Sequence, residues 1–181
     1  MNKYTIAACL AMLAVAGCTV PDPFKMQTLD KGEPVGVVQM LAEHPGKIAC
    51  IDYRASDNSC ASLSKAQRVG NRIVAVETGA VRGLSGQIER VSLRSRGRIV
   101  DGATCVAPDE IESVTAEGGM GEFLQETTRL LISQFGGEVC ARYFRVTDGF
   151  VVSSTGGNGK PFPPGDSRLR FVDAPLPVRA Q

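Results

Sequence analysis

The chain has 181 residues, with 20 lysines and arginines, 19 aspartates and glutamates and one histidine, so its formal net charge is +1. A charge balance this close to neutral gives no indication that the protein binds nucleic acid. Six cysteines without a tryptophan favour a compact domain held by disulfides in an oxidising compartment.

The first seventeen residues have the organisation of an export signal. A single cation, Lys3, precedes an apolar run over residues 6–15. This run is about half the 20 apolar residues that a membrane-spanning helix needs, so it predicts a cleaved signal. The tetrapeptide VAGC at 15–18 resembles the lipobox of bacterial lipoproteins.

The resemblance covers only residues 1–18 and implies cleavage before Cys18, with lipid attached to its sulfur. Two or more acyl chains anchor a protein stably, whereas one chain binds only weakly. Thr19 after the cysteine implies sorting to the outer membrane, facing the periplasm. The alternative is ordinary secretory cleavage at the AVA of 14–16, which would release a soluble protein.

Cleavage divides the chain into four predicted parts. Residues 1–17 are the signal peptide, and 18–34, rich in proline, form a lipidated start and flexible tether. Residues 35–173 form a single domain and 174–181 a disordered tail. The 164 residues that remain carry 19 basic and 19 acidic side chains, and a chain of about 150 residues can bury roughly 70% of its surface.

Two stretches have the periodicity of helices. Apolar residues at helical spacing over 37–42 predict a short helix that ends at Pro45. The stretch GEFLQETTRLLISQFGG predicts a principal helix over about 121–136, which ends at a glycine pair.

The other segments read as strands. IACIDY, NRIVAVET, IERVSLR and RIVDGATCV alternate or are β-branched, and Arg96-Gly97 is predicted as the turn between the last two. EVCARYFRVTDGFVVSSTG predicts a hairpin with a turn at Asp148-Gly149, and SRLRFVDA a last strand. Together these elements predict an α+β domain, in which a mostly antiparallel sheet has the principal helix packed on one face.

Four cysteines of the mature chain are available for disulfides. Three connectivities are open, and we favour Cys50–Cys60 around a polar loop and Cys105–Cys140 between distant strands. A zinc site is disfavoured because no pair has CxxC spacing. No CxxCH haem motif occurs, and we predict neither metal nor cofactor.

The sequence shows no catalytic constellation. His44, the one candidate base, precedes Pro45 at a helix end, and no GxSxG elbow occurs. GGNGKP (156–161) lacks the spacing of a phosphate loop, and EGGMGE (117–122) is bracketed by glutamates. We therefore predict that the protein is not an enzyme.

Charge is segregated along the chain. Residues 65–98 hold eight cations against two acids, whereas 101–126 hold seven acids and no cation. The two blocks could pair within the fold, or the basic block could form a patch that binds a partner. The predicted patch residues are Arg90, Arg94, Arg96 and Arg98.

Three functions remain open. The first is a lipid-anchored accessory or binding protein of the envelope, whose charged patch binds an envelope protein or an acidic glycan. The second is a carrier that holds a small apolar ligand between helix and sheet. The third is a periplasmic hydrolase that uses a carboxylate pair.

Overall fold

The computed structural model describes residues 26–82 and 86–180. The signal peptide and the predicted lipid site, Cys18, lie outside the described residues. The elements are β1 (Glu33–Val35), α1 (Val37–Glu43), β2 (Ile48–Ile51), β3 (Ser62–Val69), β4 (Arg72–Arg82), β5 (Ile88–Val100), β6 (Ala103–Val106), a 3₁₀ turn (Pro108–Glu110), β7 (Ile111–Ala116), α2 (Gly121–Gln134), β8 (Val139–Val146), β9 (Gly149–Gly156) and β10 (Pro161–Val172).

Eight of the strands form a closed antiparallel barrel. They follow the order β8-β6-β5-β4-β3-β2-β10-β9, and β9 pairs back with β8 along its whole length. The predicted α+β fold is therefore wrong, because the two ends of the sheet pair with each other. Alternation of apolar and polar residues is the same in an open sheet and in a barrel wall, so the strand pattern alone could not separate them.

The predicted turn at Arg96-Gly97 is also wrong. Strand β5 runs through both residues, and its turn into β6 lies at Asp101 and Gly102, whose φ angles are +47° and +78°. Gly97 is a glycine because the neighbouring strand β6 leaves no space for a Cβ atom at this position. A Cβ atom at this position would lie 2.6 Å from Cγ2 of Thr104.

Helix α1 closes one end of the barrel, which confirms the predicted short helix. Val37 and Met40 are its buried residues, and they pack with Ile73, Phe150 and Leu169 from the barrel wall. This apolar cluster fills the interior at the α1 end, because the small helix supplies the side chains that the strands lack there.

Helix α2 exists where the sequence predicts it, but it is a minor element. Only Ile132 is fully buried, while Phe123 and Leu130 are 66% and 60% exposed. Two α2 side chains bond to the backbone of β7, a strand that lies off the ring and pairs with β5. The Val114 N–H donates to Gln125 at 3.2 Å, and Arg129 donates to the Ile111 carbonyl at 2.9 Å.

Within the described residues, neither α1 nor α2 has the length and apolar character needed to cross a membrane.

Both predicted disulfides are confirmed. Cys50 bonds to Cys60 and Cys105 to Cys140. The register places Cys50 and Cys105 on the outer face of the wall, opposite to the core residues beside them. The C-terminal segment covers the first disulfide, since the Cys60 N–H donates to the Pro177 carbonyl at 2.9 Å.

The described parts of the predicted tether and tail lie against the barrel. Strand β1 pairs with β8, and Gln27 bridges to Gly165 beside the irregular start of β10. At the other terminus, Val178 bridges to Cys60 and Ala180 to Ala80.

Candidate functional site

Three of the four predicted patch arginines are paired within the chain. Arg94 and Arg96 share the Glu112 carboxylate, at 2.6 and 3.0 Å. Arg98 contacts Glu110 at 3.4 Å and Glu138 at 2.7 Å. The hydrogen bond from Arg94 lowers the pKa of Glu112 below its usual range, and the Arg96 charge acts in the same direction.

Arg90 lies apart from this network. It lines a cavity of about 330 Å³ between the outer faces of β3 and β4 and the C-terminal segment, together with Lys65 and Leu176. Arg94, Arg96 and Arg98 of the basic block thus form ion pairs with Glu110 and Glu112 of the acidic block. The binding role of the four arginines stays a prediction.

A second charged surface lies at the α1 end of the barrel, in a groove of about 550 Å³. We call it the rim groove. Four separate parts of the chain build it: the turn after α1, the segment after β2, the β8–β9 turn and the second half of β10. Its lining residues are His44, Lys47, Tyr53, Val146, Asp148, Gly149, Phe150, Arg168, Leu169, Arg170 and Phe171.

The β8–β9 turn forms one wall of the rim groove. The two-residue loop is Thr147-Asp148, one position earlier than the sequence predicts, and Gly149 begins β9. Gly149 has φ +133°, and a Cβ atom there would lie 2.4 Å from the Leu169 carbonyl oxygen. The glycine therefore lets the turn approach β10 closely and sets the width of the groove.

Aromatic rings form the floor. The His44 ring stacks on Phe171, with centroids 4.2 Å apart, and meets Phe150 edge-on at 5.7 Å. The sequence predicts no catalytic role for His44, and the structure gives the ring a packing role in this cluster. Such rings present flat apolar surface to a ligand.

Cations line the sides of the rim groove. The Arg170 guanidinium lies over the Tyr53 ring, 4.1 Å from its centroid. Lys47 pairs with Asp173 at 3.3 Å. No carboxylate in residues 26–82 and 86–180 forms an ion pair with Arg168 or Arg170. The groove therefore offers two exposed guanidinium groups that form no ion pair within the described residues, and it also contains the carboxylate of Asp148.

One grouping of metal-ligand types occurs in the described residues, formed by Cys105, Glu138 and Cys140. Both sulfurs are joined in a disulfide, so neither is a thiolate that could bind a metal. Arg98 occupies the Glu138 carboxylate.

Sequence reasoning missed the rim groove. Lys47, Arg168 and Arg170 are isolated cations in the sequence, and only closure of the barrel brings β10 beside the turn after α1. The alternation in SRLRFV was a usable signal, because it places both arginines on the face opposite to Leu169 and Phe171.

No protein-family model, no curated protein and no solved structure gives a significant match to this chain.

Proposed function

We propose that this protein is a lipid-anchored binding protein of the bacterial cell envelope, which acts by binding and not by catalysis. Cys18 holds it at the outer membrane, facing the periplasm, and the rim groove binds an acidic glycan. The lipobox-like VAGC supports the anchor, and the rim groove supports the class of partner.

The pair Arg168 and Arg170 is the observation that carries the glycan proposal. Guanidinium groups form charge-assisted, often bidentate, hydrogen bonds to phosphates and carboxylates. Here both line the same groove as Tyr53 and Phe171, so one ligand can place its acidic groups on the arginines and its apolar part against the exposed portions of these two side chains. The arginines of the predicted patch are weaker candidates, because Glu110, Glu112 and Glu138 already engage three of them.

The carrier hypothesis has less support from the structure. It requires space between the helix and the sheet, but Ile132 of α2 packs directly on Ile111 and Val114 of β7. The chain's own side chains therefore fill that interface.

Charge reversal of the rim groove tests the glycan proposal. We expect Arg168→Glu with Arg170→Glu to weaken binding of a phosphorylated acidic oligosaccharide at least tenfold in titration calorimetry. The matched control, Arg82→Glu with Lys160→Glu, makes the same change in net charge at exposed sites away from the groove. Equal loss in both double variants would mean that only the overall charge matters, and the rim groove would be rejected.

The anchor has its own test. Protein purified from native membranes should have the mass of the chain from Cys18 plus about three acyl groups. A mass that fits an unmodified chain would refute the anchor and leave the glycan result unaffected.

A further inference from the structure

The middle of the barrel is lined by small side chains. Direct cross-strand partners point to the same side of the wall, so the register identifies the positions that face inward. Between the apolar cluster at the α1 end and the cluster of Ile111, Val114 and Ile132, six inward positions hold only serine or alanine. These positions are Ser64, Ala75, Ser95, Ala141, Ser154 and Ser167.

Small side chains at these positions leave the barrel interior unfilled. An eight-stranded barrel is just wide enough either to be filled by large side chains or to hold one small ligand. Five of the six residues are only partly buried although they face inward, and Ser95 alone is fully buried. Partial exposure of inward-facing side chains indicates that water reaches this part of the interior, which we call the lumen.

One ionisable side chain stands in this space. Glu77 pairs with Ser64 and Leu93 across the strands, so it faces inward, yet it is exposed to solvent. Its Oε1 accepts a hydrogen bond of 2.6 Å from the Ser62 hydroxyl. Tyr143 faces the same space, where burial raises the pKa of its hydroxyl and the Glu77 charge acts in the same direction.

The lumen carries a negative charge that the described chain does not compensate. Glu89, a second inward carboxylate, lies outside the lumen, farther along β5 and beside Gly118. There Gln87 donates to its Oε1 at 2.6 Å, while its buried Oε2 has no partner. The inward-facing cations of the described residues lie at the α1 end instead. There Arg145 pairs with Glu43, and Arg68 donates to the Gly70 carbonyl.

We infer that the lumen binds a small organic cation with a protonated amine, whose ammonium group contacts the Glu77 carboxylate. The serine hydroxyls and the Tyr143 hydroxyl accept its remaining hydrogen bonds. A charge-assisted hydrogen bond from an ammonium group to a carboxylate is shorter and stronger than a bond between neutral groups. The site is separate from the rim groove, because Phe150 and Leu169 lie between them with their side chains buried.

Titration of the purified mature protein with 1,4-diaminobutane tests this inference. We expect saturable binding of one diamine per chain and none of 1,4-butanediol, which has the same length but no charge. Glu77→Gln keeps the shape of the side chain and should weaken binding at least tenfold. Glu126→Gln, at an exposed position on α2, is the matched control and should bind as the parent does.

A second variant tests the location. Ser154→Phe places a ring in the lumen and should abolish diamine binding without changing the rim groove. If that variant does not fold, Ala141→Leu serves the same purpose with a smaller side chain. Absence of saturable diamine binding, or equal binding by Glu77→Gln and Glu126→Gln, would overturn the inference.

Discussion

The two disulfides can be compared within one chain, because they differ mainly in the length of the loop they close. Cys105–Cys140 has a sequence separation of 35 residues and Cys50–Cys60 one of 10. The chain-entropy relation gives about 3.8 kcal/mol of stabilisation for the longer loop and about 2.7 kcal/mol for the shorter. Cys50, Cys60 and Cys105 are almost fully buried, whereas Cys140 is only partly buried. Truncation therefore removes more packing at Cys50–Cys60, and the loop difference of about 1 kcal/mol is an upper value for the difference between the pairs.

The assay is urea unfolding of two double variants, Cys50→Ala/Cys60→Ala and Cys105→Ala/Cys140→Ala. We expect both to unfold at lower urea than the parent, and the second to lose up to about 1 kcal/mol more. The unfolding free energies should be compared only where the slopes of free energy against urea concentration agree, since a changed slope indicates a different unfolded state. Equal losses, or a larger loss for Cys50–Cys60, would refute the argument from loop length.

Two further predictions follow from the wall of the barrel. Gly97→Ala should lower the free energy of unfolding by about 1–3 kcal/mol, because the new Cβ would lie 2.6 Å from Cγ2 of Thr104. Gly79→Ala is the control and should cost less, because the space at its Cβ is open. Equal shifts of the melting temperature in the two variants would contradict this prediction. Carboxyl NMR should show that the pKa of Glu112 lies below its ordinary value of 4.5. The stability that this carboxylate contributes is therefore present above pH 4.5 and is lost as pH falls through the lowered pKa. Arg94→Gln should raise the titration midpoint of Glu112, and an unchanged midpoint would show that Arg94 does not lower this pKa.

Local patterns predicted the local elements of this fold. The spacing of apolar residues located α1 and α2, and the even cysteine count with its polar loop led to both disulfide pairs. These features depend on residues near one another in sequence, or on chemistry that holds in any fold.

Closure of the barrel could not be predicted from the sequence, because it depends on which distant strands pair. The sequence SLSKAQRV of β3 has little apolar alternation, since its inward positions Ser64 and Ala66 are small. Gly97 was wrongly predicted as a turn residue, because glycine occurs both in turns and at strand positions that have no space for a side chain. The rim groove depends on this closure, so the alternation in SRLRFV could indicate which face the two arginines occupy but not which other residues lie beside them.

Strand β7 gives α2 a role that its exposed surface hides. β7 has one strand neighbour, β5, and its other edge would present free backbone groups to any other extended chain. Gln125 and Arg129 occupy two of those groups, on Val114 and Ile111. Because α2 follows β7 after only a short turn, a segment close in sequence covers this edge, and the covered edge is less available for pairing with another extended chain.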